Sequence, residues 1–339
     1  MEKQRSGRDP YWDSLKFVLI FLVIYGHVIS GCAAFDRFNL AMYNFLYTFH
    51  IPLFIFISGR FSRIHDRKRY LTGILRILET YIVFQVIRTL VQAIVHGNTI
   101  TAACLYTPSW IMWYLLALIY WRILVYVVPE NWLTHRRTVL TACFGISLLA
   151  GFIPVGDAFT VQKSLSYLPF FALGYYSTDI CVKSWIDKIP APAAVVALSS
   201  AFLIFFAVDR NFSAIHQYRL PYYVGEDPVI LNCAARGIYL AAALLLSAMF
   251  MRLVSPVKSF AEWGSATMFF YLFHSFALRE FLRPLIRAKR LPVNDVLLFV
   301  YSLAIMAVLI AASKIWIWKM LLNPITYWRR SGAGDNRKS

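Results

Sequence analysis

Charged residues are scarce in this sequence. They make up 15% of 339 residues, where an ordinary soluble domain carries about 25%. The shortage falls on the acids, with 17 Asp and Glu against 34 Lys and Arg. Cysteines are few: Cys32, Cys104, Cys143, Cys181 and Cys233 are widely spaced, odd in number and form no CxxC pair. That pattern argues against a disulfide framework or a zinc site, and no metal is expected. A cleavable signal peptide is not expected either, because the first apolar run is longer than a signal h-region and lacks a convincing cleavage site. Neither an internal repeat nor a second soluble domain is visible.

Apolar surface is what the chain has in excess. Hydrophobic residues form 59% and aromatics 17% of the sequence, in runs near twenty residues, each long enough to cross a hydrocarbon core of about 30 Å as a helix. Only helices and closed barrels span a bilayer. Barrel strands alternate in polarity, whereas Phe17 to Ile24 is continuously apolar. The expected fold is therefore all-α, a polytopic transmembrane helix bundle of about ten spans. These are Ser14–Ala34, Met42–Phe61, Leu71–Val95, Trp110–Val128, Thr138–Ile153, Lys163–Thr178, Ala193–Val208, Val229–Leu253, Ser265–Leu285 and Val296–Met320. Residues 1–13 then form an N-terminal segment, 14–320 the membrane domain and 321–339 a basic tail.

The net charge of +17 is scattered through short loops, which fits orientation in a cell membrane rather than nucleic-acid binding. A cytoplasmic N-terminus makes the inner segments the more basic ones, with Arg63, Arg67, Lys68 and Arg69 in one loop and Arg136 and Arg137 in another. Arg287, Lys289 and Arg290 dissent, falling on the outer side. The longest outer loop, Asp209–Pro228, mixes His216, Tyr218, Tyr222, Tyr223, Glu226 and Asp227. It reads as a solvated loop or a carbohydrate contact.

Ionisable groups inside a span are expensive and usually face a bundle interior or cavity. In the first span Lys16 and His27 are eleven residues apart, about three turns, so both project from one face roughly 16 Å apart in depth. Asp13 lies one turn before Lys16. An imidazole suits general-base work near neutral pH. Spacing alone leaves open a buried histidine with Lys16 snorkelling to the headgroups. The second span contributes Tyr47, His50, Pro52, Ser58 and Gly59. The proline frees a backbone carbonyl, and the Ser-Gly pair permits close helix approach. No GxSxG elbow surrounds Ser58, so it is not expected to be a nucleophile. In the third span Arg76, Glu79, Gln85 and Arg88 are polar at lipid depth. Arg76 pairs with Glu79, or joins Lys68 and Arg69 in a cationic mouth for phosphates. His274 is a further intramembrane imidazole.

Four motifs, in order, resemble the acyltransferase family 3 membrane proteins, in particular the fucose 4-O-acetylase-like branch. Asp13-Ser14-Leu15-Lys16, ten residues and His27 resemble the family's Arg/Lys-x10-His signature. Phe49-His50-Ile51-Pro52-Leu53-Phe54 through Ser58-Gly59 is similar to its FHMPLFFFISG run. Trp113-Tyr114-Leu115 resembles the WFL helix, and Tyr271-Leu272-Phe273-His274 the YLLH motif. Lys16 stands where arginine is common and Arg60 where an aromatic is usual, while the third span lacks two arginines ahead of a proline. No stretch of this sequence resembles the hydrolase-like domain appended in some members, so any acceptor is expected to be handled by the membrane domain and its loops. The resemblance implies transfer of an acyl group, usually acetyl from acetyl-CoA, to a hydroxyl of a carbohydrate or related acceptor at a bacterial plasma membrane. For that chemistry the residues themselves suggest His27 as base or acyl carrier, Lys16 and Asp13 as orienting or donor-binding groups, His274 as an assistant, and Arg76 with the Arg63–Arg69 loop, Arg69 and Lys68 included, as the donor's phosphate site. A transporter or flippase for a glycan or metabolite is the alternative, since intramembrane His, Lys and Arg also line translocation paths.

Overall fold

In the computed structural model, residues 9–32, 36–153, 157–177, 182–212, 215, 222, 228–254, 257–315 and 322 are described. Among them no strand occurs, and ten helices have ten or more residues: α1 (Pro10–Cys32), α2 (Arg37–Arg60), α3 (Arg67–His96), α4 (Trp113–Val127), α5 (Arg136–Leu149), α6 (Val161–Tyr176), α7 (Ala191–Val208), α8 (Val229–Leu253), α9 (Thr267–Phe276) and α10 (Asp295–Ala312). Each expected apolar segment overlaps one of them, with Ala33, Ala34, Thr178 and residues 316–320 of those segments outside the described residues. Among the described residues, six stretches are long and apolar enough to cross a membrane: α1, α2, Trp110–Val127, α7, α8 and α10. The other four differ for physical reasons. α3 carries Arg76, Glu79 and Arg88 along its length, α5 and α6 have only 14 and 16 residues, and α9 gives way to a π turn, Ala277–Leu282, before a last α turn, Arg283–Arg287.

Side chains fix several helix ends. The carboxylate of Asp66 accepts the Arg69 N–H at 2.7 Å to start α3, and Gly97 closes it at φ 66°, a left-handed position that glycine occupies without a Cβ clash. Asn294 caps α10 in the same way as Asp66, accepting the Leu297 N–H at 2.8 Å. α1 begins at Pro10 rather than Ser14, which places Asp13 inside its first turn.

The chain divides into two compact units. The first comprises Met1–Ile57, Asp179–His216 and Ala235–Lys314. Its interior holds one cluster around Trp12, Leu15, Leu19, Leu53 and Met251 and another around Ile29, Tyr43, Phe49, Leu198 and Leu246. Outward faces here are apolar: Val196, Leu203 and Ile204 on α7, and Val296 and Val308 on α10, are exposed, while Asn39, Asn44, Arg236 and Ser302 are buried. This inverted polarity is what hydrocarbon as solvent demands. Asn44 fastens the start of the loop that follows α7, donating to the Arg210 carbonyl at 2.8 Å.

The second unit comprises Ser58–Thr178, Gln217–Ala234 and Ile315–Ser339. Trp121 donates its indole N–H to the Ser164 carbonyl and Ser147 its hydroxyl to the Ser166 carbonyl, locking α4 and α5 to α6. A Cβ on Gly59 would overlap the Phe171 carbonyl, so this position needs glycine for the close helix approach that the Ser-Gly pair suggests. α4, α5 and α6 also enclose an apolar groove of about 300 Å³ lined by Leu124, Cys143, Leu168, Phe171 and Tyr176 among others. Tyr222, ahead of α8, is buried against Gly151 and Phe152 and donates its N–H to the Gly151 carbonyl at 2.7 Å. His216, Tyr218, Tyr223, Glu226 and Asp227, like the basic residues of the tail, lie outside the described residues.

Candidate functional site

The first unit gathers imidazoles on three helices. His27 lies five residues before the end of α1, half-buried, with its Nδ1 3.1 Å from the Tyr47 hydroxyl on α2. The fully buried His274 of α9 stacks on it, ring centroids 5.5 Å apart and planes 17° from parallel. His274 Nδ1–H donates to the Phe270 carbonyl at 3.0 Å. A carbonyl only accepts, so this bond puts the His274 proton on Nδ1 and turns Nε2 into an acceptor. His50, also buried, makes the equivalent bond to the Leu46 carbonyl and sets its ring edge-on to Tyr47 at 4.7 Å. Of the three histidines, His27 is the one that is not fully buried, and its ring is oriented by a neighbour.

Asp13 and Lys16 form a second, separate pair. Their ion pair measures 2.5 Å across one helical turn, with Asp13 buried and Lys16 partly exposed. The stripe read from the sequence therefore has two ends. One is the carboxylate–ammonium pair and the other the imidazole cluster, about three turns apart along α1.

Arg76, Arg69 and Lys68 all lie on α3 in the second unit. Lys68 and Arg69 are exposed in its first turn, while Arg76 is half-buried. Beside them stands a lattice that sequence reasoning missed. Arg122 of α4 lies over the Tyr70 ring at 4.7 Å, Arg67 over the Tyr126 ring at 4.5 Å, and the two tyrosines stack. Such stacking holds guanidinium groups in place. The fully buried Arg88 belongs to the same helix.

Two residues near His27 were also missed as site residues. Tyr47 was visible in its motif, but its role depends on how α1 packs against α2. Arg283, just after the π turn, packs its guanidinium against Gly31, where any Cβ would overlap Nη2, Nε and Cζ. Among the described residues no group of three or more His, Cys, Asp or Glu is arranged to hold a metal ion.

A half-buried imidazole with one nitrogen held by a tyrosine, backed by a second imidazole and flanked by a guanidinium, is equipped to accept a proton from a hydroxyl and to face developing negative charge. Comparison with known proteins bears on which reaction uses it. No curated protein and no solved structure matches the chain. A family model described as an acyltransferase domain matches residues 9–316, from the residue before α1 to just beyond α10. That span takes in His27, His274 and every helix named above, and the chain is accordingly a membrane acyltransferase belonging to acyltransferase family 3.

Proposed function

We propose that this protein transfers an acyl group, acetyl in the first instance, from cytoplasmic acyl-CoA to a hydroxyl of a carbohydrate or related acceptor, with His27 as general base. In this reading Nδ1–H of His27 donates to the Tyr47 oxygen, so that Nε2 keeps the lone pair that takes the acceptor proton. Tyr47 is then a positioning residue, and His274 supports the ring from its other face. The observation that carries the proposal is the placement of His27: half-buried, tethered at 3.1 Å to Tyr47 and stacked on His274 in a chain of this family.

Lys16 and Asp13 orient the cytoplasmic half of α1, while Arg76, Arg69 and Lys68 meet the phosphates of CoA. Guanidinium and ammonium groups beside a loop suit that role. Ten spans with a cytoplasmic N-terminus, in a bacterial plasma membrane, would put those cations on the donor's side. The order of the four motifs favours the fucose 4-O-acetylase-like branch.

Purified protein in lipid nanodiscs, supplied with acetyl-CoA and a panel of sugar acceptors, should release free CoA only when a suitable acceptor is present. Mass spectrometry should find that acceptor heavier by one acetyl unit. Substrate movement across a vesicle membrane without CoA release would favour the transport alternative.

A further inference from the structure

In a regular α-helix, residues nine apart are about two and a half turns apart and face opposite ways. His274 and Arg283 are nine apart, yet both reach α1, at His27 and at Gly31. The π turn Ala277–Leu282 between them resolves the conflict, because its wider i→i+5 turn advances less rotation per residue and swings Arg283 back toward the His274 side. The sequence supplies a cause for it in Pro284, which lacks an N–H and whose ring would clash with the Glu280 carbonyl in a regular α-helix.

The guanidinium lands one helical turn beyond His27, since Gly31 follows it by four residues on the same face of α1. Glycine at 31 is what admits it. The final carbonyls of α1 also favour a cation there, but the positive charge remains half-buried one turn from a half-buried imidazole rather than on the protein surface.

We propose that Arg283 is a further catalytic residue, which holds the oxyanion formed when the acceptor attacks the thioester. This rests on the acyl-transfer reading. The acceptor hydroxyl gives its proton to His27 Nε2 as its oxygen bonds to the thioester carbonyl carbon, and the carbonyl π pair moves onto oxygen. Arg283 pairs with that oxyanion. Collapse re-forms the carbonyl, breaks the carbon–sulfur bond and expels CoA thiolate, which takes the proton from the His27 imidazolium and leaves as the thiol.

The test compares wild type, Arg283→Gln, Arg283→Lys and Pro284→Ala in nanodiscs, after wild type has shown transfer and His27→Ala has shown none. Loss of an oxyanion donor lowers kcat about 100- to 1000-fold. Arg283→Gln should fall by that factor with KM for acyl-CoA unchanged, regain turnover when guanidinium ion is added at non-denaturing concentration, and unfold at the wild-type temperature. Arg283→Lys should lose less, and Pro284→Ala should lower kcat although the arginine is still present. Wild-type kcat in Arg283→Gln would overturn the inference and leave the acyl-transfer reading standing. So would a loss accompanied by a lower unfolding temperature and no guanidinium rescue, the signature of a helix cap. Absence of transfer in wild type would overturn both.

Discussion

The imidazoles of His27 and His274 lie almost parallel, 17° apart in plane with centroids 5.5 Å apart, although 247 residues separate them in the chain. His274 is locked by its own helix through the Phe270 carbonyl, so His27 rests on a fixed surface. Replacing His274 by Ala should remove that surface while leaving the base in place. Turnover should fall but stay measurable above that of a variant lacking His27, in side-by-side assays of CoA release.

The Tyr47 hydroxyl contributes one hydrogen bond to His27, at 3.1 Å. A single neutral hydrogen bond is worth about 0.5–1.5 kcal/mol, so Tyr47→Phe should lower kcat roughly threefold to tenfold. KM for acyl-CoA should not change, because the ring remains to fill its place between His27 and His50. Steady-state kinetics at saturating acceptor checks this.

Asp13 and Lys16 depend on each other. Removing the ammonium in Lys16→Met leaves a buried carboxylate without its partner and should cost about 1–3 kcal/mol of stability, read as a lower unfolding temperature in detergent. Asp13→Asn combined with Lys16→Met should recover part of the loss. Lys16→Arg should preserve more stability and more turnover than Lys16→Met; equal loss in both would remove charge from the account of this position.

Gly59 has no room for a side chain against the Phe171 carbonyl, which is backbone and cannot rotate away. Gly59→Ala should destabilise the second unit by about 1–3 kcal/mol, visible as reduced yield of monodisperse protein. Ser58 beside it, whose hydroxyl meets that of Tyr114, should tolerate Ala far better in the same measurement.

How far the sequence discloses this molecule follows from which interactions are local. Apolar runs mark the helices because length and solvent alone decide them, and the i, i+3 spacing of Asp13 and Lys16 declares their ion pair. His27 and His274 stand out because imidazoles inside apolar runs are rare. Their contact does not, since it depends on where α9 packs against α1. Arg283 is hidden more deeply: a regular helix would turn it away from His274, and only the π turn ahead of Pro284 brings it round. Helix length is less legible than apolar character: α5 and α6 read as apolar runs of span length, while their helices have 14 and 16 residues.

The most direct test of the account is the turnover of His27→Ala, purified in nanodiscs beside wild type and checked for intact folding by size exclusion and thermal unfolding. The account predicts a folded protein that releases no CoA above background with acceptor present. Wild-type release from that folded variant would contradict it.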